Sequence, residues 1–61
     1  MNDRQQICGL TVEPVRTDTG TWWVWRNAAG RQIHAGLASR QLVGSLWFEL
    51  RDGRWLQVRE P

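Results

Sequence analysis

One cysteine, one histidine and six carboxylates are the residues to weigh for thiol, metal or acid–base chemistry. A zinc site needs three or four ligands of suitable kind. Cys8 and His34 have no Cys-x-x-Cys or His-x-x-x-His companion, so only a symmetric oligomer would complete a set. Cys8 as a nucleophile needs a base beside it and a third group to orient that base. The alternation of its neighbours instead groups Cys8 with Leu10 and Val12 as a small buried apolar residue. His34 alternates with Gln32 and faces the way of Arg26, a surface histidine available at most for stacking on a partner. Glu49 with Glu60, or Asp18 with Glu13, are the carboxylate pairs to weigh for acid–base work, and nothing holds either pair across a cleft. Asp18 and Asp52 read as turn residues, and no glycine-rich loop leads into a helix carrying Lys-Ser or Lys-Thr. So short a domain also has little depth for a ligand pocket. The expectation is no catalytic centre, no metal, no cofactor and no small-molecule substrate.

Tryptophan and arginine rise above this background. There are five tryptophans in 61 residues, and all eight basic residues are arginine. These are the residues of protein hot spots and of surfaces that stack nucleobases. Trp23 and Trp25 alternate with the core positions of their segment. Trp22, Trp47 and Trp55 fall on outward positions, and Arg26, Arg51 and Arg54 flank the hairpin tips. One reading is therefore a non-catalytic protein-binding accessory or regulatory module, docking Trp22, Trp47 and Trp55 with those three arginines on the rim. Its partner is another protein or a second copy of the chain. The other reading is a small nucleic-acid-binding protein. There Trp22, Trp47, Trp55 and His34 stack bases, while Arg26, Arg31, Arg51, Arg54 and Arg59 hold phosphates. A formal charge of +2 is modest for that task. A structural part of a larger particle stands behind both.

The elements that must position these residues come from a chain of 7.1 kDa. At this size only about 60% of the surface is buried on folding, and burial barely offsets the cost of ordering the chain. A single small domain over residues 6–61 is expected, with residues 1–5 frayed. No apolar run approaches the ~20 residues of a membrane span. The start MNDRQQICGL lacks the basic region and apolar stretch of a secretory leader. With one cysteine and no pair to form, the expected compartment is reducing and cytoplasmic.

Three turn signals separate runs of alternating residues: Asp18-Thr19-Gly20, Ala28-Ala29-Gly30 and Asp52-Gly53. For the last hairpin, a two-residue turn pairs Leu50 with Trp55. A three-residue loop over 51–53 pairs Leu50 with Arg54 and Phe48 with Leu56. The second register is preferred because it gathers Leu46, Phe48, Leu50, Leu56 and Val58 on one face and leaves Trp47 and Trp55 on the other. In the middle hairpin, a loop over 28–30 sets Asn27 against Arg31, Trp25 against Ile33 and Trp23 against Ala35. Thr21, Trp23, Trp25, Ile33, Ala35 and Leu37 then share a face. The first strand runs over 7–15, with Pro14 at an edge or at its end because it lacks the ladder donor. Residues 38–45 are ambiguous. Leu42, Val43, Leu46, Trp47 and Leu50 recur at helical spacing, whereas Gly44 and Leu-Trp-Phe favour a strand. The preferred compromise is one helical turn over 39–43 and a strand from 45. The result is an all-β chain, a small five-stranded, strongly bent barrel similar in architecture to an SH3-like barrel, with a helical turn before the last hairpin. The alternative is a three- or four-stranded antiparallel meander with one helix over about 39–50.

Overall fold

The computed structural model describes residues 3–60. Seven strands follow one another: β1 (Gln5–Ile7), β2 (Leu10–Thr17), β3 (Gly20–Arg26), β4 (Gln32–Gly36), β5 (Arg40–Val43), β6 (Leu46–Arg51) and β7 (Arg54–Val58). All pairings are antiparallel, in a four-stranded sheet β1-β2-β3-β4 and a three-stranded sheet β5-β6-β7. The all-β expectation holds. No helix forms among the described residues, and the sheets do not close into a barrel. The helical turn over 39–43 and the longer helix over 39–50 are both replaced by strands. Leu42 and Trp47 lie on one face of their sheet while Val43, Leu46 and Leu50 lie on the other. Both faces are apolar there, so the helical spacing carried no information.

Two hairpins escaped the turn signals. Cys8 and Gly9 sit at φ 51° and 77° between the paired residues Ile7 and Leu10. Two successive left-handed residues make the turn whose twist matches antiparallel strands. The expected strand over 7–15 is thereby cut, and Cys8 is exposed at a turn instead of buried beside Val12. Its thiol donates to Gln57 Oε1 at 3.0 Å. Gly44, at φ 64°, opens the other two-residue turn, between Val43 and Leu46. Gln5, assigned to a frayed end, opens β1 and pairs with Val12. Residues 1 and 2 of that end lie outside the described residues. Pro14 sits in β2 beyond the last residue that pairs with β1, so the strand has an edge there, as its missing donor requires.

The core lies between the sheets and is small. Val12 and Trp25 come from the first sheet, Val43, Phe48 and Trp55 from the second, with Ile7, Leu10, Trp23, Leu46 and Leu50 packed around them. Trp25 meets Phe48 at 4.8 Å and Trp55 at 5.1 Å between ring centroids, and Trp23 meets Trp55 nearly edge-on at 5.4 Å.

Two seams, where β1 lies against β7 and β4 against β5, carry no strand ladder. Each is closed by a glutamine amide. Gln5 Nε2 donates to Gly53 O at 2.8 Å and its Oε1 accepts from Trp55 N at 2.9 Å, so one side chain stands in for a strand's donor and acceptor. Gln41, only 4% exposed, accepts from Trp25 Nε1 at 3.0 Å and donates to Ala38 O at 2.8 Å and Gly36 O at 3.2 Å. A buried amide with its partners met is tolerated in a core where an unpaired one is not.

Candidate functional site

The register of the last hairpin decides which tryptophan reaches solvent. Asp52 at φ 49° and Gly53 at φ 78° form a two-residue turn, with Arg51 opposite Arg54 and Leu50 opposite Trp55. The three-residue loop expected from face segregation does not form. Two left-handed turn residues fit the strand twist, and this register buries the largest apolar side chain available. Trp55 is accordingly 3% exposed, inside the core and on the opposite face from Trp47. The anticipated Trp47–Trp55 patch is not present.

What replaces it is a row across all three strands. Leu42, Trp47 and Val58 are directly paired on the outer face of the second sheet. Leu42 is 46% exposed, and Leu56 two residues along β7 is 41% exposed. The other end of this face is charged. Glu49 accepts from Arg40 Nη2 at 2.6 Å and from Arg51 Nε, and Arg54 stands directly across from Arg51. The hydrogen bond from Arg40, and then that from Arg51, hold the Glu49 carboxyl below its ordinary pKa. Three guanidinium groups against Glu49 and, in the turn, Asp52 leave this end positive.

The first sheet repeats the design. Val15 pairs with Trp22 on its outer face, Trp22 being 39% exposed. Leu37, just past β4 and 47% exposed, has its Cδ2 3.8 Å from where a Cβ on Gly20 would stand. Glu13 is again held between two arginines, Arg26 at 3.3 Å and Arg4 at 3.4 Å. Because the inner faces of the sheets pack on each other, the two tryptophan rows look out on opposite sides of the molecule.

Several expected positions move for one reason, a bulge in β4. Asn27 and Arg31 do close a loop over 28–30, with Asn27 N–H donating to Arg31 O at 2.9 Å. The ladder then pairs Arg26 with Gln32 and Trp25 with His34, leaving Ile33 as the extra residue, 43% exposed. His34 is therefore half-buried on the inner face opposite Trp25, not outside beside Arg26 and Gln32. Ala35 and Leu37 pass to the outer side with Trp22 and Val24.

Of the expected docking set, Trp47, Arg51 and Arg54 share one outer face. Trp22 and Arg26 share the other, and Trp55 belongs to neither. Of the residues proposed to hold nucleic acid, Arg31 flanks the middle loop and Arg59 follows β7. With His34 turned inward and Trp22 and Trp47 on opposite outer faces, that set forms no common surface. Sequence reasoning missed Leu42 and Val58 as outer-face neighbours of Trp47, which only the register identifies. Among the described residues no three His, Cys, Asp or Glu gather as metal ligands, and no helix is long and apolar enough to cross a membrane. Compared with known protein families, curated proteins and solved structures, the chain matches none.

Proposed function

We propose that the chain is a non-catalytic protein-binding module whose docking surface is the outer face of the three-stranded sheet. The observation that carries this reading is the Leu42–Trp47–Val58 row, a half-buried indole between an exposed Leu42 and a half-buried Val58 across three strands. A sheet face with a central aromatic and arginines at one end is the composition of an interface centre and its edge. Arg51 and Arg54 form the rim, with Arg40 beside them, and their excess over Glu49 selects a partner with acidic groups around an apolar pocket. A second copy is the poorer occupant, because this face brings no excess of carboxylates to the Arg40, Arg51 and Arg54 end.

The test is affinity capture from lysate of the source cells with wild-type bait, Trp47→Ser and Trp22→Ser, each first shown to unfold cooperatively. A specific protein retained by wild type and Trp22→Ser, and lost from Trp47→Ser, supports the reading. Equal retention by all three baits, or retention by none, sinks it.

A further inference from the structure

The inner face of the first sheet runs on past the second sheet that covers it, and the uncovered part is a cleft. Pro14 opposite Trp23 and Arg16 opposite Thr21 are successive pairs on that face of β2 and β3. The last hairpin supplies the facing wall with Gly53 and Arg54, and the cleft encloses about 590 Å³. That is within the range of small-ligand sites, against the expectation that a chain this short has no room for one. It forms beside the core, between the sheets, where depth does not depend on chain length.

Three features point to its occupant. Trp23 is half-buried and set edge-on against Trp55 at 5.4 Å and 78°, which fixes the plane of its indole before anything binds. Arg16 and Arg54 make no side-chain hydrogen bond or ion pair with any described residue. Arg54 stands directly across from Arg51, whose charge is met by Glu49, so Arg54 is the unanswered member of the pair. The acid lining the cleft is Asp3, while Arg4, also on the wall, is paired with Glu13. The balance is cationic around a fixed aromatic plane.

We propose that this cleft binds a phosphorylated nucleoside, the base stacked on Trp23 and the phosphate held by Arg16 and Arg54. Guanidinium forks match phosphate oxygens in pairs, and an indole face accepts any base. An acidic peptide would answer the arginines and bring nothing planar for the indole. Arg54 also stands on the rim of the Trp47 face, whereas Trp23 and Arg16 belong to the first sheet, so the Trp23 response and Arg16→Gln separate this proposal from the docking reading.

The two sources of this chemistry, a free nucleotide and a nucleotide within a single strand, are separated by titrating the ¹⁵N-labelled protein with AMP and with an eight-residue oligo(dA). Adenosine and inorganic phosphate serve as partial ligands, and the indole N–H resonances are followed. The expected result is that AMP, the oligonucleotide or both move the Trp23 resonance and leave Trp47 in place. Adenosine and phosphate each bind more weakly than AMP. Each of Arg16→Gln and Arg54→Gln, both exposed and outside the core, weakens binding at least about tenfold, and Asp3→Asn tightens it. A response to AMP alone assigns a free nucleotide, and a response to the oligonucleotide alone assigns a strand. The proposal is overturned if neither probe moves Trp23, or if the doubly substituted protein binds as tightly as wild type.

Discussion

Replacing Gln41 by methionine tests the most concentrated piece of buried chemistry in the fold. The side chain keeps its length and loses all three hydrogen bonds. Trp25, fully buried, is left with an indole N–H that has no acceptor, at a cost of about 2 kcal/mol. Gly36 O and Ala38 O each lose a donor. Both bonds are only partly buried, so water recovers most of the loss and about 0.5 kcal/mol remains for each. The methionine returns about 1 kcal/mol through apolar burial, and the net loss is about 2 kcal/mol. For a chain of this length that is on the order of half the total stability. With a urea m-value near 1 kcal/mol/M for so small a domain, the unfolding midpoint followed by tryptophan fluorescence falls by about 2 M. Gly36→Ala presses on the same amide from the other side, since a Cβ there would stand 3.2 Å from Gln41 Oε1, and it should cost about 1 kcal/mol. A midpoint change below about 0.5 M for Gln41→Met would refute the reasoning. It would mean that the β4–β5 seam is held by apolar contact and that the Trp25 N–H is not committed to the amide.

Three further outcomes follow from the same structure. Trp55→Ala removes about 3–5 kcal/mol and leaves no cooperative unfolding transition, whereas Trp47→Ser and Trp22→Ser keep one, by far-ultraviolet circular dichroism against urea. Gln5→Ala strips Trp55 N and Gly53 O of their partners; it should cost about 1–2 kcal/mol and speed hydrogen exchange at the Trp55 amide more than at Phe48. Glu49 is held by Arg40 and Arg51 below its ordinary value of 4.5, so the folded chain binds fewer protons than the unfolded one near and below that pH. The stabilisation is full above pH 4.5, is lost as pH falls through the lowered value, and is absent from Glu49→Gln. The gap between wild type and Glu49→Gln in urea midpoint should therefore narrow on acidification below pH 4.5, and a gap that stays constant or widens would contradict the ion-pair account.

The extent to which the fold was legible differed between strands and registers. Alternation located the hairpins around Ala28-Ala29-Gly30 and Asp52-Gly53, and it placed Trp23 and Trp25 inward correctly. It failed wherever one residue of register mattered, because a single slip exchanges the faces of a strand. The Ile33 bulge did this to β4, moving His34 in and Leu37 out. The choice of loop length did it to β7, moving Trp55 in and Leu56 out. Five short strands were expected and seven formed, because cysteine before glycine and glycine before serine are weaker turn signals than Asp-Gly. The candidate surface suffered accordingly. Trp47 was identified from type and alternation alone, while its neighbours Leu42 and Val58 are cross-strand partners whose proximity exists only once the ladders are set.

The outer rows raise a question that stability alone does not answer. A chain with so small a core places two of its five tryptophans on outer faces, Trp47 between two aliphatic cross-strand neighbours and Trp22 across from one, Val15. Such pairs add roughly 0.2–1 kcal/mol to a sheet, and threonine or valine at the same positions would supply much of that with less apolar surface exposed. Nor is the core a substitute destination, since Trp22 and Trp47 lie at odd register to Trp23 and Phe48 and cannot turn inward without turning those neighbours out. What the fold secures is an indole on the outer face of each sheet, set in a strand ladder, with an arginine–glutamate–arginine clamp on the same face of both sheets. Rigidity is the property that docking rewards, because a side chain fixed by its neighbours loses little freedom on association. The same logic applies to Trp23, whose plane is fixed by Trp55 at the mouth of the cleft. In each case the tryptophan is held by strand pairing or by another indole, leaving part of the ring for something that is not this chain.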